Sequence, residues 1–185
     1  MIKYSSVLLH VILMVPLTFA QGSQSPLNGF TDECSSLPAP LQALVAAMDK
    51  PGDRVQASAG DGAAHPRIPT LHRIDVNLLP KDTVRLRAVR DTRVDGSAGP
   101  FAGVLVFMVP ADGVYRISLS ARTWIDVMQD EIAVPRVRPV HRVHRCGQIH
   151  KSNEFSLKKG TLYRLELSGS SDQTISLMIT PEEGV

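Results

Sequence analysis

Apolar residues return at every second position along much of the second half of the chain, in short segments bounded by turn residues. The clearest segments carry Tyr115, Ile117 and Leu119, then Tyr163, Leu165 and Leu167, then Ile175, Leu177 and Ile179. A period of two places successive side chains on opposite faces of a β-strand, so each segment has one buried face. Turn signals such as Pro110-Ala111-Asp112-Gly113 separate the segments at hairpin length. The pattern predicts a chain built mainly from antiparallel strands.

About eight strands are predicted, preceded by one short helix at about 38–49. The remaining strands are placed at 74–78, 84–89, 101–109, 124–129, 132–137 and 155–157. In the helix, Leu41, Leu44, Val45 and Met48 follow the helical period. Residues 53–69 show no period and are predicted to form a surface connection. A chain of 185 residues has room for one domain. We therefore predict an all-β fold, an antiparallel β-sandwich of jelly-roll type occupying residues 34–181.

The N-terminus has the pattern of a secretory signal peptide. Lys3 precedes an apolar run at 7–15, and Thr18-Phe19-Ala20 supplies the small residues of a cleavage site. The apolar run is shorter than the roughly 20 residues that a membrane span needs. We expect cleavage after Ala20, a mobile polar segment at 21–33 and no membrane span in the mature chain. The sequence thus predicts a periplasmic or secreted protein.

Two cysteines, Cys34 and Cys146, are the only ones in the sequence. In an oxidising compartment an even count is typical of a disulfide, and here only one intramolecular pairing is possible. A disulfide that closes a loop of this length stabilises a fold by roughly 4–5 kcal/mol in the chain-entropy model. A reactive thiol or a metal thiolate is the alternative.

Motif residues in the second half carry a resemblance to a known family. They are Gly113, Tyr115-Arg116-Ile117, Trp124-Ile125-Asp126-Val127, Cys146, Ile149, Lys151, Glu154, Phe155, Gly160 and Tyr163. The stretch resembles small exported bacterial β-sandwich proteins of unknown function, some of which carry a homogentisate 1,2-dioxygenase label. An early cysteine before a helix, like Cys34, recurs in that family. The resemblance spans about residues 31–180 and is firm from Phe101 to Met178. It implies a sandwich stapled by a disulfide.

This chain departs from the family pattern at 141–145, where the family more often has His-Gly-His-Gly-Pro, so no shared role of the histidines follows. The hairpin that turns at Gly113 also resembles, more loosely, the C-terminal β-sandwich of secreted peptidases. The dioxygenase label itself conflicts with the chemistry. A mononuclear iron oxygenase needs histidine and carboxylate ligands together, and the clustered histidines have no obvious carboxylate partner in the sequence.

Residues 132–153 contain five cations and no acid, although the whole chain is nearly balanced, with 20 Lys+Arg against 18 Asp+Glu. The cations are Arg136, Arg138, Arg142, Arg145 and Lys151. Such a run creates a positive potential that favours an anionic envelope polymer or an acidic protein partner. It lacks the interleaved aromatic residues that single-stranded nucleic acid requires, so no nucleic acid is expected. The alternative is a solvated loop whose cations find carboxylates elsewhere in the fold.

The same stretch contains His141, His144 and His150 around Cys146, which together offer four zinc or copper ligands. The spacing matches no standard zinc signature, the thiol is assigned to the disulfide, and neighbouring arginines repel a cation. We therefore predict no cofactor and keep a metal site at these histidines as the alternative.

Trp124 and Asp126 are expected to share one face of their strand. A tryptophan beside an acid can bind a sugar ring or a cationic ligand. Alternatively, Trp124 belongs to the core and Asp126 neutralises a neighbouring arginine.

The sequence contains no Gly-x-Ser-x-Gly elbow, no phosphate loop and no His-Glu-x-x-His motif. The prediction is an exported, non-catalytic binding or interaction module that uses the basic stretch 136–151. A metal-binding periplasmic protein and an unrecognised hydrolase are the alternatives.

Overall fold

The computed structural model describes residues 37–62, 64–88, 99–137 and 147–182. The predicted signal peptide, the segment 21–33, Cys34 and Cys146 lie outside these residues. In the described ranges the chain forms the helix α1 (Ala39–Met48) and ten strands. The strands are β1 (Asp53–Gln56), β2 (Ile74–Asn77), β3 (Leu79–Pro80), β4 (Phe101–Phe107), β5 (Gly113–Leu119), β6 (Trp124–Gln129), β7 (Ile132–Ala133), β8 (Lys151–Leu157), β9 (Tyr163–Ser170) and β10 (Thr174–Pro181).

The strands form two five-stranded sheets. The first sheet has the order β1-β2-β10-β5-β8 and the second has the order β3-β4-β9-β6-β7. All neighbours within the sheets are antiparallel except β1 and β2, which run parallel. The all-β sandwich predicted from the alternating pattern is confirmed. Jelly-roll connectivity stays a prediction.

The main core lies between the two sheets, where the inward residues of every long strand meet. Ile117 and Leu177 from the first sheet pack in one cluster with Leu105 and Leu165 from the second. All four side chains are fully buried, and burying a side chain of this size stabilises the fold by roughly 1.5–3 kcal/mol. The inward sets predicted for β5, β9 and β10 are the ones observed.

The strand predicted at 84–89 is wrong over its described part, residues 84–88, which follow a 3-10 turn (Lys81–Thr83) without entering a sheet. The backbone N–H groups of Arg87 and Ala88 donate instead to the buried side chain of Glu166. Val84 and Leu86 pack on the outer face of β4. For residues 87 and 88 a distant carboxylate therefore replaces the strand ladder as the hydrogen-bond partner, while the Arg85 N–H donates to the Ala59 carbonyl.

The surface connection predicted at 53–69 is also wrong in part. Residues 53–56 form β1, whose partner is β2. Farther along, Ser58 and Arg67 form isolated bridges with Val104 and Val106. The described parts of residues 58–68 thus supply the hydrogen bonds that the open edge of β4 would otherwise lack. We call residues 58–62 and 64–68 the β4 flank.

Helix α1 packs against the outer face of the first sheet. Leu44 and Met48 contact Ile149 and Met178 in a second apolar cluster. Arg73 ties the helix end to the sheet, because its guanidinium donates both to the Met48 carbonyl and to the carboxylate of Asp75. No helix in the described ranges is long and apolar enough to cross a membrane.

Candidate functional site

Residues 134–137 cross from the edge of the second sheet to the edge of the first. The Val134 N–H donates to the carbonyl of Val127 on β6 at 2.8 Å, and the Val137 N–H donates to the carbonyl of Glu154 on β8 at 2.9 Å. Open strand edges invite pairing with other chains, and native proteins cover them. We call residues 134–137 the strap, because they close this side of the sandwich.

Arg136, the first cation of the basic stretch, lies in the strap. Its Nη2 is 3.7 Å from Oδ1 of Asp126 and 3.4 Å from the carbonyl oxygen of Ile125. With the Asn153 amide turned so that its oxygen faces the guanidinium, that oxygen accepts from Nε at 3.2 Å. Asp126 therefore neutralises Arg136, which agrees with the alternative that this carboxylate pairs with a neighbouring arginine.

Trp124 lies beside both end cations of the basic stretch. The Lys151 ammonium is 4.7 Å from the centre of the indole ring, and the Arg136 guanidinium carbon is 5.5 Å from it. Cations within about 6 Å of an aromatic ring are attracted by its quadrupole. Lys151 is buried, at 8% exposed, so its charge is held at the indole rather than displayed. The indole thus contacts cations of the protein itself, which disfavours it as a platform for a sugar ring.

Both ends of the basic stretch are fixed at the β8 side of the sandwich. The strap holds Val137 at one end. At the other end Gly147 lies so close to α1 that a Cβ added there would be 2.7 Å from Cγ1 of Val45, and the next residues lead into β8. The other members of the stretch fall outside the described residues, namely Arg138, His141, Arg142, His144, Arg145 and Cys146.

A second polar cluster, which the sequence did not reveal, lies on the outer face of the second sheet. Glu166 is fully buried and Arg164 is 6% exposed. The carboxylate of Glu166 accepts from Nε of Arg164 at 2.7 Å and from the backbone N–H groups of residues 87 and 88 at 2.9–3.0 Å. The guanidinium of Arg164 also donates to the carbonyls of Gly60 and Arg85. This pair ties two loop segments to β9.

His65 joins this cluster from the β4 flank. Nη1 of Arg164 is 3.0 Å from Nε2 of His65, and Nδ1 is 2.8 Å from the hydroxyl of Ser58. Since a guanidinium only donates, Nε2 must accept, which places the proton of the neutral ring on Nδ1. Desolvation by burial, followed by the charges of Arg164 and Arg87, lowers the pKa of His65 below 6.5, while Glu166 opposes the shift.

The hydrolase alternative can be tested on two arrangements. Ser58 and His65 are in hydrogen-bond contact, but Nδ1 donates to the hydroxyl, which in turn donates to the Val104 carbonyl at 2.9 Å. His65 is therefore oriented against acting as the base for Ser58. Asp126 and Glu166 are directly opposite on neighbouring strands, as glycosidase carboxylates can be, yet Glu166 is fully buried with both oxygens hydrogen-bonded. Neither arrangement offers a reactive group to a substrate.

The metal alternative rests on a set of predicted ligands of which one lies within the described residues. His150, the one described member of the predicted ligand set, is exposed, and its backbone N–H donates to the carbonyl of Leu119. Within the described ranges no group of three or more His, Cys, Asp or Glu side chains is placed to hold a metal ion.

Known proteins provide little further information. No family model and no curated protein matches this chain. Among solved structures it is similar to a β-glucosidase from Kluyveromyces marxianus in complex with glucose, at 18% sequence identity and a TM-score of 0.31. The match covers 55% of this chain and 12% of the β-glucosidase chain. A similarity this low carries no argument about fold or activity.

Proposed function

We propose that this protein is an exported, non-catalytic binding module that contacts an anionic polymer of the cell envelope through the basic stretch 136–151. One observation carries the proposal. Both ends of the stretch are fixed on the β8 side of the sandwich, by the strap and by the contact of Gly147 with α1. Between these ends the sequence has three arginines, two histidines and no acid. The two ends of a locally positive sequence therefore lie on the same side of the fold, which supports a contact surface there.

The anchors also indicate which cations belong to the contact surface. Arg136 is engaged with Asp126, and Lys151 is engaged with Trp124. We therefore assign Arg136 and Lys151 the role of closing the edge of the sandwich. The binding charges are assigned to Arg138, Arg142 and Arg145. An exposed charge contact is worth about 0.2–1 kcal/mol, so three of them give roughly tenfold in affinity.

The test compares two variants that lose the same charge. In the first, Arg138, Arg142 and Arg145 become Ser. In the second, Arg54, Lys81 and Arg122, which are exposed cations elsewhere on the described surface, become Ser. Polygalacturonate serves as the anionic polymer, and binding is measured by affinity electrophoresis. The first variant is expected to bind about tenfold more weakly than the second, from the contact energies above.

The outcomes separate the possible partners. Equal weakening in both variants would mean that net charge, and not this stretch, governs binding. If the wild type binds polyglutamate and ignores polygalacturonate, the partner is an acidic protein and the polymer proposal is wrong. Zinc or copper binding at micromolar metal that is lost when His141 and His144 become Gln would favour the metal alternative.

Export and the disulfide form part of the same proposal. Gly147, next to Cys146, lies against Val45 of the helix that follows Cys34, and Ile149 packs with Leu44 in the same cluster. These contacts support a Cys34–Cys146 bridge, because they draw the chain after one cysteine onto the helix that follows the other. Mass mapping of the chain from the exported fraction under non-reducing conditions tests both points. The expected result is a mature N-terminus at Gln21 and a peptide pair that separates on reduction.

A further inference from the structure

The β4 flank is held to the sheet by backbone hydrogen bonds to Val104 and Val106, by the buried side chain of Ile68 in the main core and by a polar network through His65. The Ala59 carbonyl of the flank also accepts from the Arg85 N–H at 2.6 Å. Besides the two bridges, the segment is joined to β9 through the Gly60 carbonyl and the His65 ring, both of which accept from Arg164. The hydrogen bonds run in one direction, from the Arg164 guanidinium through the His65 ring and the Ser58 hydroxyl to the Val104 carbonyl. This series of hydrogen bonds requires a neutral imidazole.

A proton on Nε2 would remove the first of these hydrogen bonds, the one that His65 accepts from Arg164. An imidazolium has two donors and no acceptor, so it cannot accept from Arg164, and two cations would then face each other at about 3 Å. The other charged groups near the ring are Arg87 and Glu166, which act in opposite directions. Glu166 is already bound to Arg164 and to two backbone N–H groups, so it is not free to turn toward His65.

We propose that His65 makes the β4 flank an acid-sensitive clasp, in which protonation of the ring releases residues 58–62 and 64–66 from β4 while Ile68 stays in the main core and the rest of the sandwich stays folded. Ser58 and Arg67 are the bridge partners of Val104 and Val106. Release exposes the edge of β4 and the apolar patch that includes Ala102 and Val104. The structure thus contains a local opening that responds to pH and lies on a different sheet edge from the basic stretch.

Hydrogen exchange of two backbone amides reports the opening directly. The Val104 N–H donates to the Ser58 carbonyl and the Val106 N–H to the Pro66 carbonyl, each at 3.0 Å. Protection factors, corrected for intrinsic exchange, are compared at about pH 7.5 and about pH 5, on either side of the ordinary histidine pKa. Wild-type protection at both amides is expected to fall at the lower pH, by at most about thirtyfold, which is the ratio of protonated to neutral ring for an ordinary histidine pKa of about 6.5 at pH 5. Protection of Leu165, in the middle strand of the second sheet, should not change.

The variant His65→Gln tests whether the histidine is responsible. Its amide oxygen can accept from Arg164 and its NH2 group can donate to Ser58, yet it does not titrate. Protection in this variant should differ by less than about twofold between the two pH values, because glutamine stays neutral at both and keeps its hydrogen bonds. The matched control is His72→Gln, at an exposed histidine, and it should behave like the wild type.

Three results would overturn the proposal. The first is wild-type protection at Val104 and Val106 that does not depend on pH. The second is a His65→Gln variant that opens in acid as the wild type does. The third is a loss of protection at Leu165 in acid as large as the loss at Val104 and Val106. If glutamine fits poorly and lowers protection already at neutral pH, a proton NMR titration of wild-type His65 decides instead. The midpoint of the ring titration must then coincide with the midpoint of the opening.

Discussion

Replacing Glu166 by Gln should destabilise the fold far more than replacing any surface glutamate. Glu166 is fully buried, and its two oxygens accept from Arg164 and from the backbone N–H groups of residues 87 and 88. A glutamine keeps one acceptor oxygen but directs an NH2 group at one of these donors and leaves the guanidinium without its counter-charge. Removing one partner of a buried ion pair costs about 3–5 kcal/mol. That is a large part of a typical stability of about 5–15 kcal/mol.

Glu131→Gln is the matched control, because Glu131 also forms an ion pair with the chain near residue 87. Its carboxylate is 2.6 Å from Nη1 of Arg87, closer than any contact of Glu166, but the side chains are 73% and 43% exposed. An exposed pair is worth about 0–1 kcal/mol whatever its distance, so this variant should be nearly as stable as the wild type.

Urea unfolding followed by far-UV circular dichroism and by the fluorescence of Trp124, the single tryptophan in the sequence, measures both variants. The free energy of unfolding should fall by about 3–5 kcal/mol for Glu166→Gln and by under about 1 kcal/mol for Glu131→Gln. Equal losses in the two variants, or a loss under about 1 kcal/mol for Glu166→Gln, would refute the argument that burial makes this carboxylate important.

Three further predictions concern the core, a glycine and pH. Phe107→Ala, at the end of β4 where the side chain is fully buried in the main core, should lower the free energy of unfolding by about 3–5 kcal/mol in the same urea assay. Gly60→Ala should cost more than Gly62→Ala in that assay: both have positive φ, but only at Gly60 would a Cβ lie 2.4 Å from the Arg85 carbonyl oxygen. The folded-state pKa of His65 is lowered from 6.5, so as the pH falls the unfolded chain binds this proton first. The contribution of neutral His65 to stability is therefore complete above about pH 6.5 and declines as the pH falls toward the folded-state pKa. His65→Gln should abolish this decline in urea titrations across that range, and an unchanged decline would contradict the assignment.

The local pattern was sufficient to predict the strands that pack the core. In β5, β9 and β10 the inward residues alternate without interruption, and the sheets need only this alternation to bury one face. The pattern also placed Trp124 and Asp126 on one face of β6, where they meet Arg136. The pattern could not predict the position of Arg136, because the strap belongs to no single strand and runs between the edges of two sheets.

The errors at 84–89 and 53–69 both come from distant partners that no local pattern contains, a buried carboxylate in the first case and the strands β2 and β4 in the second. Arg164 and Glu166 alternate with Leu165, so the sequence assigns them to a wetted face. In the structure two loop segments cover that face, and the carboxylate takes the N–H groups that would have formed a strand ladder at 87 and 88. The partners are 78 and 79 residues apart in the chain. The buried charge of Glu166 thus explains why residues 87 and 88 leave the expected strand, whereas residues 53–56 depart from the prediction because they pair with β2.

The central claim, that the basic stretch is the contact surface of a binding module, is tested most directly by hydrogen-exchange footprinting of the mature protein with and without polygalacturonate. Added polymer is expected to slow exchange in peptides within 137–150 and to leave exchange in the β4 flank and β1 unchanged. The protection should disappear at high salt, because contacts between exposed charges are screened. Slowed exchange at the β4 flank or along β1, with none in 137–150, would contradict the account.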